Sequence, residues 1–331
     1  MLKPDRIIGM ASAFYESCVL FTASDLGIFA RLSEAGPADA QSLALTLKLD
    51  ERGVRLLLDA CVAMELLQKE GSHYANTLES KAFLTPGSPG DLSGAIRYNR
   101  DVYTAWGKLK DFVKSGRPVE SPESHLGQDP ERTRTFVMAM HYRALGMGRA
   151  VIGELDLSGS KTVLDVGGGP GTYSMLIAQA NPDATCTVLD LPEVVAVADE
   201  LIRQQALQGR VKTLSGDYRR ISFPEGYDMV NFFGVLHQES PQSILLLLQK
   251  AYRALRPGGA VNVMDMMTDS THTKPKFSAL FGVNMALTSE NGWVFSDLEL
   301  KEWLKEAGFA DCMVKPLPPP MPHSFAAARR R

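Results

Sequence analysis

The sequence predicts an α/β protein whose second half is a doubly wound, mostly parallel sheet and whose first part is a smaller, mainly helical module. Three observations lead there. Apolar residues recur at three- and four-residue steps through the first 66 residues, whereas short apolar runs alternate with helical stretches from Lys161 onward. A glycine-rich turn joins the first of those runs to a helix. The length of 331 residues, with 45% hydrophobic and 22% charged residues and a net charge of −3, suits a globular chain of two domains and excludes disordered, collagen-like and disulfide-scaffold classes.

Ile8, Ala11, Phe14, Cys18 and Phe21, then Leu26 and Phe29, mark one buried helical face. A second helix follows Asp39, and a third follows Asp50, an N-cap candidate with Glu51 in its first turn. Leu67 to Asn76 reads as two short strands turning at Gly71-Ser72. Three helices and a small hairpin make a winged-helix pattern, which serves either DNA binding or protein association. From Met1 to Gly94 there are eight Lys/Arg and twelve Asp/Glu, a balance of 8 − 12 = −4, which argues against phosphate binding and nucleic acid.

Thr85 to Gly90 reads as a linker, and helical signals resume at Tyr103 to Leu109 and from Glu131 through Phe136, Met140 and Met147. These divide the chain into an N-terminal module (residues 1–95), bridging helices (96–155) and a sheet domain (156–331). No run approaches the ~18 apolar residues of a membrane span, and the first residues lack a secretory pattern. Cys18, Cys61, Cys186 and Cys312 are isolated among small or apolar neighbours, which suits buried thiols in a reduced, cytoplasmic protein.

In the sheet domain, Thr162–Val166, Thr185–Asp190, Val211–Leu214, Tyr227–Phe233 and Ala260–Asp265 are the expected strands, with a helix over 243–255 and a turn at Pro257-Gly258-Gly259. Ligands of such sheets sit at the carboxyl ends of the strands. Asp165-Val166-Gly167-Gly168-Gly169-Pro170-Gly171 lies there. A dinucleotide fingerprint fails on spacing, because Thr172 or Ser174 stands where its third glycine is needed, and no Gly-Lys-Ser/Thr phosphate loop is present.

An acid two residues ahead of Gly167, Gly169 and Gly171, with Asp190 ending the second strand and Asp217-Tyr218 following the third, resembles the cofactor motifs of class I methyltransferases that use S-adenosylmethionine. Together with Leu189-Asp190-Leu191-Pro192-Glu193, Gly234-Val235-Leu236-His237 and Leu255-Arg256-Pro257-Gly258-Gly259, these motifs resemble the O-methyltransferases typified by plant caffeate and hydroxyindole enzymes and their bacterial relatives. The resemblance implies a Rossmann-like catalytic domain, an N-terminal winged-helix dimerisation domain forming a homodimer, and S-adenosylmethionine converted to S-adenosylhomocysteine. It implies that Asp165, Gly167, Gly169, Gly171, Asp190, Leu191, Asp217 and Tyr218 hold the cofactor. It further implies that Met140, Phe233, Asn284 and Met285 line a pocket for a small aromatic or polyketide-like acceptor of secondary metabolism, and that His237 is the catalytic base.

A phenol has a pKa near ~10, and an imidazole titrating near ~6.5 is suited to take its proton. Two departures from the family pattern bear on that base: Gln238 replaces the usual Asp, and Val294, beside Trp293, falls where a carboxylate commonly orients the histidine. Glu239, Glu290 and Asp265 are the available substitutes, and no clustered Asp/Asn/His set suits a metal. The departures leave C- or N-methylation, or a non-methylating reaction, as an alternative, with a non-catalytic cofactor-binding regulator or scaffold as a second. His73, His125, His272 and His323 carry no expected role, while His141 stands beside the expected pocket residue Met140.

Overall fold

The computed structural model describes residues 2–88, 90–120, 129–319 and 321–331 of the chain. His125 lies outside them. The described residues form two compact units, 1–101 and 102–331.

The first unit contains α1 (Asp5–Ser12), α2 (Phe14–Asp25), α3 (Ile28–Ala35), β1 (Ala38–Asp39), α4 (Ala40–Leu47), α5 (Glu51–Ala63), β2 (Leu67–Glu70), β3 (His73–Asn76) and α6 (Leu78–Phe83). The carboxylates of Asp39 and Asp50 accept the backbone N–H groups of Ser42 and Gly53, so each aspartate caps its helix. β3 lies between β1 and β2 in an antiparallel sheet. Phe29, Leu43, Leu58, Cys61 and Tyr74 are buried in the unit's core.

Two expectations need correction here. Asp5–Asp25 is the one described stretch that by length and apolarity matches a membrane span, although its consecutive apolar runs are short and only 6% of it is buried. Ile7, Ile8, Met10, Phe14 and Tyr15 on it are exposed instead of facing a core. Of the four thiols, only Cys61 and Cys186 are buried, whereas Cys18 and Cys312 are half-buried.

α7 (Ser93–Gly107) crosses the boundary between the units and is followed by α8 (Leu109–Ser115) and α9 (Pro130–Glu154). Proline at the first position and the Asp129 carboxylate, which accepts the N–H groups of Glu131 and Arg132, start α9. Then follow β4 (Thr162–Val166), α10 (Thr172–Ala180), β5 (Thr185–Asp190), α11 (Pro192–Gln204), β6 (Val211–Ser215), β7 (Tyr227–Phe233), α12 (Pro241–Ala254), β8 (Leu255–Asp265), α13 (Lys276–Thr288), α14 (Asp297–Glu306), β9 (Phe309–Pro316) and β10 (Ser324–Arg330).

The second unit is a seven-stranded sheet in the order β6-β5-β4-β7-β8-β10-β9. The first five strands in that order are parallel, and β10 and β9 are antiparallel additions. Strand order reverses on either side of β4, so the ends of β4, β5 and β7 frame a topological switch point. Apolar clusters cover both faces, with Ile177, Val188 and Ile202 buried in one and Phe232, Leu248 and Phe295 in the other. The turn expected at Pro257-Gly258-Gly259 lies within β8, at a register shift against β7. Gly258 takes φ +82°, and a Cβ on Gly259 would stand 2.9 Å from the Arg256 carbonyl, so these glycines make an irregularity in the strand instead of an end to it.

Candidate active site

The glycine loop is fixed by its own backbone. Gly167, Gly169 and Gly171 have φ of +63°, +54° and +71°, a region that glycine alone enters without cost. A Cβ on Gly168 would stand 2.8 Å from the Asp165 carboxyl carbon, and one on Gly167 would stand 2.7 Å from Val235, whereas Gly169 has nothing within 4 Å. The loop is therefore packed from below and open above Gly169. Asp190 ties it down: its Oδ2 accepts the Gly169 N–H at 2.8 Å and its Oδ1 accepts the Leu191 N–H at 2.8 Å.

The two acids differ in access. Asp165 is fully buried beneath the loop, with Oδ2 accepting the Ser174 hydroxyl at 2.8 Å and Oδ1 left without a partner. Burial raises its carboxyl to about 7, the Ser174 hydroxyl pulling the other way and Asp190 adding to the rise. Asp190, 9% exposed at the end of β5, is raised by burial to about 6 against the pull of the Leu191 and Gly169 N–H groups. Each Asp190 oxygen holds one backbone donor, which leaves acceptor capacity for a diol. Tyr218 flanks the loop at 3.5 Å from the Cβ position of Gly167 and donates its hydroxyl to Glu239 at 2.8 Å. Asp217 is occupied by its own turn, accepting the Arg219 N–H and facing Arg220 at 3.4 Å. A diol acceptor, an aromatic face and an open backbone at Gly169 fit a nucleoside carrying an amino-acid tail, and Oδ1 of Asp165 lies unpaired beneath the loop.

The candidate base comes from the end of β7. Gly234, at φ +72°, turns the chain out of the strand, and His237 follows in a short 3-10 turn. Its Nδ1 lies 2.7 Å from Oδ1 of Asp265, and its backbone N–H reaches Oδ2 at 3.2 Å. Asp265 ends the neighbouring strand β8, is 1% exposed and also accepts the Met266 N–H. A carboxylate only accepts, so Nδ1 carries the proton and Nε2 keeps its lone pair. The Phe281 ring packs edge-on against the imidazole at 5.2 Å.

Of the three carboxylates left open by the sequence, the other two are placed elsewhere. Glu239 is buried among Tyr218, Arg219 and Ser243, and Glu290 is exposed. Val294 is buried. Its neighbour Trp293 donates its backbone N–H to the His237 carbonyl at 2.9 Å and its indole N–H to the Glu239 carbonyl at 2.8 Å. Hydrogen bonds to the main chain thus clamp residues 237–239 where the family pattern would supply a charge.

The pocket candidates lie in the same unit. Met140 is half-buried on α9, and Phe233 meets Tyr173 edge-on at 5.0 Å. Asn284 is buried and accepts the Trp106 indole N–H at 2.8 Å, and Met285 beside it is buried. His141 Nδ1 is 2.7 Å from the Thr172 hydroxyl at the start of α10. Arg143 is not singled out in the sequence and His323 has no expected role there, since neither belongs to a motif; the two side chains lie 3.2 Å apart and His323 is buried. His73 is exposed, and His272 faces Glu299 at 3.5 Å.

Residues 106–310 match the O-methyltransferase domain and residues 8–86 the O-methyltransferase dimerisation domain. The chain belongs to the O-methyltransferase family. This O-methyltransferase is 31% identical to the tetracenomycin polyketide synthesis 8-O-methyl transferase TcmO of Streptomyces glaucescens, over 93% of this chain and 92% of that one. It is 30% identical to the N,N-dimethyltransferase OxyT of Streptomyces rimosus, over 92% and 90%. Human N-acetylserotonin methyltransferase, solved in complex with SAM, superposes with a TM-score of 0.89 at 29% identity, covering all of this chain and 98% of the other. The enzyme is an S-adenosylmethionine-dependent methyltransferase, and the loop at the β4 end has the donors, acceptors and open space for that cofactor.

Proposed function

We propose that the O-methyltransferase methylates a hydroxyl of a small aromatic or polyketide-like acceptor, with His237 as general base. The observation that carries this reading is the Asp265–His237 contact, because it leaves Nε2 as the ring's free acceptor. Bound S-adenosylmethionine supplies a methyl group already activated on a positively charged sulfur. The protein's tasks are then alignment and removal of one proton. Alignment accounts for ~7–11 kcal/mol of barrier in favourable cases, and a positioned base adds ~10²–10⁴-fold. Asp265 holds the tautomer and favours the imidazolium formed when His237 accepts the acceptor's proton.

In this reading Asp190 takes the ribose hydroxyls, Gly167, Gly169 and Gly171 admit the cofactor's tail, and Leu191, Asp217 and Tyr218 border the adenosine. Asp165 acts from beneath, shaping the loop through Gly168 and Ser174. Met140, Phe233, Asn284 and Met285 line the acceptor pocket, in the segment from 96 to 155 and in the sheet domain beyond it. From Ile8 onward the exposed apolar side chains of Asp5–Asp25 fall within the dimerisation-domain match, and a second copy of the chain covers this face. The homodimer works in the cytoplasm, with neither nucleic acid nor membrane as partner.

The test is product analysis by mass and NMR with hydroxyl- and amine-bearing aromatic acceptors, using wild type and His237→Ala. The expected result is an O-methyl product whose rate falls ~10²–10⁴-fold in the variant while S-adenosylhomocysteine affinity stays. A rate unaffected by the substitution overturns the assignment. N-methylation is the second reading: OxyT carries it in its name, and an amine already uncharged at neutral pH needs no base of this kind. An N-methyl product selects it.

A further inference from the structure

Among the described residues, Arg143 takes no part in the loop, the His237–Asp265 pair or the Glu239 network. Arg143 lies on α9 one turn beyond Met140, and its Nη2 has a single polar partner among the described residues, Nε2 of His323 at 3.2 Å. A guanidinium only donates, so Nε2 accepts and the imidazole proton sits on Nδ1. That Nδ1 is buried with no acceptor, in a side chain only 5% exposed. Burial drives His323 down to about 4, and Arg143 pushes the same way, so the ring is neutral at physiological pH.

The pair stands beside the reaction centre. His323 immediately precedes Ser324, which pairs across the sheet with Asp265, the partner of His237. Arg143 is close enough to Tyr173 to bear on its hydroxyl, and Tyr173 packs on Phe233. Asp265 is engaged by His237, and the buried Val294 carries no charge. Among the described residues the permanently charged guanidinium of Arg143 therefore has a neutral imidazole and no carboxylate as its hydrogen-bond partner.

We propose that Arg143, braced by His323, binds a carboxylate of the acceptor, so that the enzyme's substrates are hydroxylated aromatic acids instead of neutral phenols. The inference rests on the methyl-transfer reading and narrows its acceptor class. A guanidinium matches a carboxylate with two parallel hydrogen bonds, and His323 Nε2, by holding Nη2, leaves the other guanidinium N–H groups to make them. His323 also fixes the plane of the guanidinium, which a flexible exposed arginine lacks.

The experiment is calorimetric titration of the full-length protein with 3-hydroxy-2-naphthoate and with 2-naphthol, each with and without saturating S-adenosylhomocysteine. Wild type is expected to prefer the naphthoate by about ten- to a hundredfold, the effect of a charge-assisted hydrogen-bond pair. Arg143→Leu erases the preference, Arg143→Lys keeps part of it, and His323→Leu lowers it, while S-adenosylhomocysteine binds all four proteins alike. Equal or tighter binding of 2-naphthol, no binding of the naphthoate at millimolar concentration, or a preference that survives Arg143→Leu overturns the proposal. S-adenosylhomocysteine affinity, measured on the same samples, reports on the cofactor reading separately, so either can fail alone.

Discussion

The ends of β4 and β5 and the ends of β7 and β8 belong to one sheet, yet they hold their side chains by different means. At β4 and β5 the backbone does most of the work: three glycines with positive φ, a loop N–H on Asp190, and Asp165 packed under Gly168. At β7 and β8 one side chain, His237, is oriented by one other, Asp265, and its segment is steadied by hydrogen bonds from Trp293. The first arrangement is mostly backbone and intolerant of added atoms. The second rests on few side chains, so a substitution there is expected to act on the reaction step more than on binding.

Asp265→Asn sharpens this contrast most. The amide keeps one acceptor oxygen but gains an NH2 donor and loses the charge, so the Nδ1–H tautomer is no longer enforced and the imidazolium is no longer favoured, and kcat is expected to fall about 10²–10⁴-fold while S-adenosylhomocysteine affinity holds. Steady-state rates with calorimetry decide it, and a parallel loss of cofactor affinity would erase the distinction between the two ends. Asp190→Ala is the mirror experiment: cofactor affinity drops about 10–100-fold, as for loss of charge-assisted hydrogen bonds, with kcat at saturation little changed. A fall in kcat alone would contradict it.

Trp293→Phe is smaller. It removes the indole donor to Glu239 but keeps the backbone one, so unfolding is expected to move by about 0.5–1.5 kcal/mol. A positioning role requires in addition a displaced pH–rate profile, and a stability loss with an unchanged profile would reduce Trp293 to packing.

The smallest effect separates the buried acids. Asp165, ordinarily near 3.8, is raised to about 7 by burial, so between those values the folded protein keeps a proton that the unfolded chain has released. Its contribution to stability is therefore fully present below pH 3.8 and is lost as pH rises through about 7. Asp190, at about 6, acts in the same direction. His323, lowered from 6.5 to about 4, opposes them, its contribution growing as pH rises between those values. Thermal melts of cofactor-free Asp165→Asn between pH 6 and 8 should show a shallower decline than wild type, and parallel curves would mean that Asp165 is not the group responsible.

What the sequence disclosed follows the same divide. The cofactor loop was legible because its determinants are contiguous: an acid, three spaced glycines and a helix start within ten residues. His237 was legible from the Gly234–His237 motif, whereas its partner was one of three candidates, since only the pairing of β7 with β8 brings Asp265 beside it. Arg143 and His323 are 180 residues apart and meet through the fold alone. The strands β9 and β10 went unforeseen, because Phe309–Pro316 alternates weakly and Ser324–Arg330 ends in arginines that resemble an exposed tail. Asp5–Asp25 misled in another way: its helical period is real, but the face it marks is open within its own unit.

The position of β10 bears on how the enzyme is made. It is the last strand in chain order, yet it lies inside the sheet, hydrogen-bonded to β8 on one side and β9 on the other. During synthesis, which proceeds from the N-terminus, the cofactor loop and its supporting strands leave the ribosome well before the strand that closes over Asp265. Until Arg330 has emerged, β8 presents a bare edge and His323 is absent from its place. A nascent chain therefore has its glycine loop and the β7–β8 pairing in hand before the strand that covers the far edge of β8 is made.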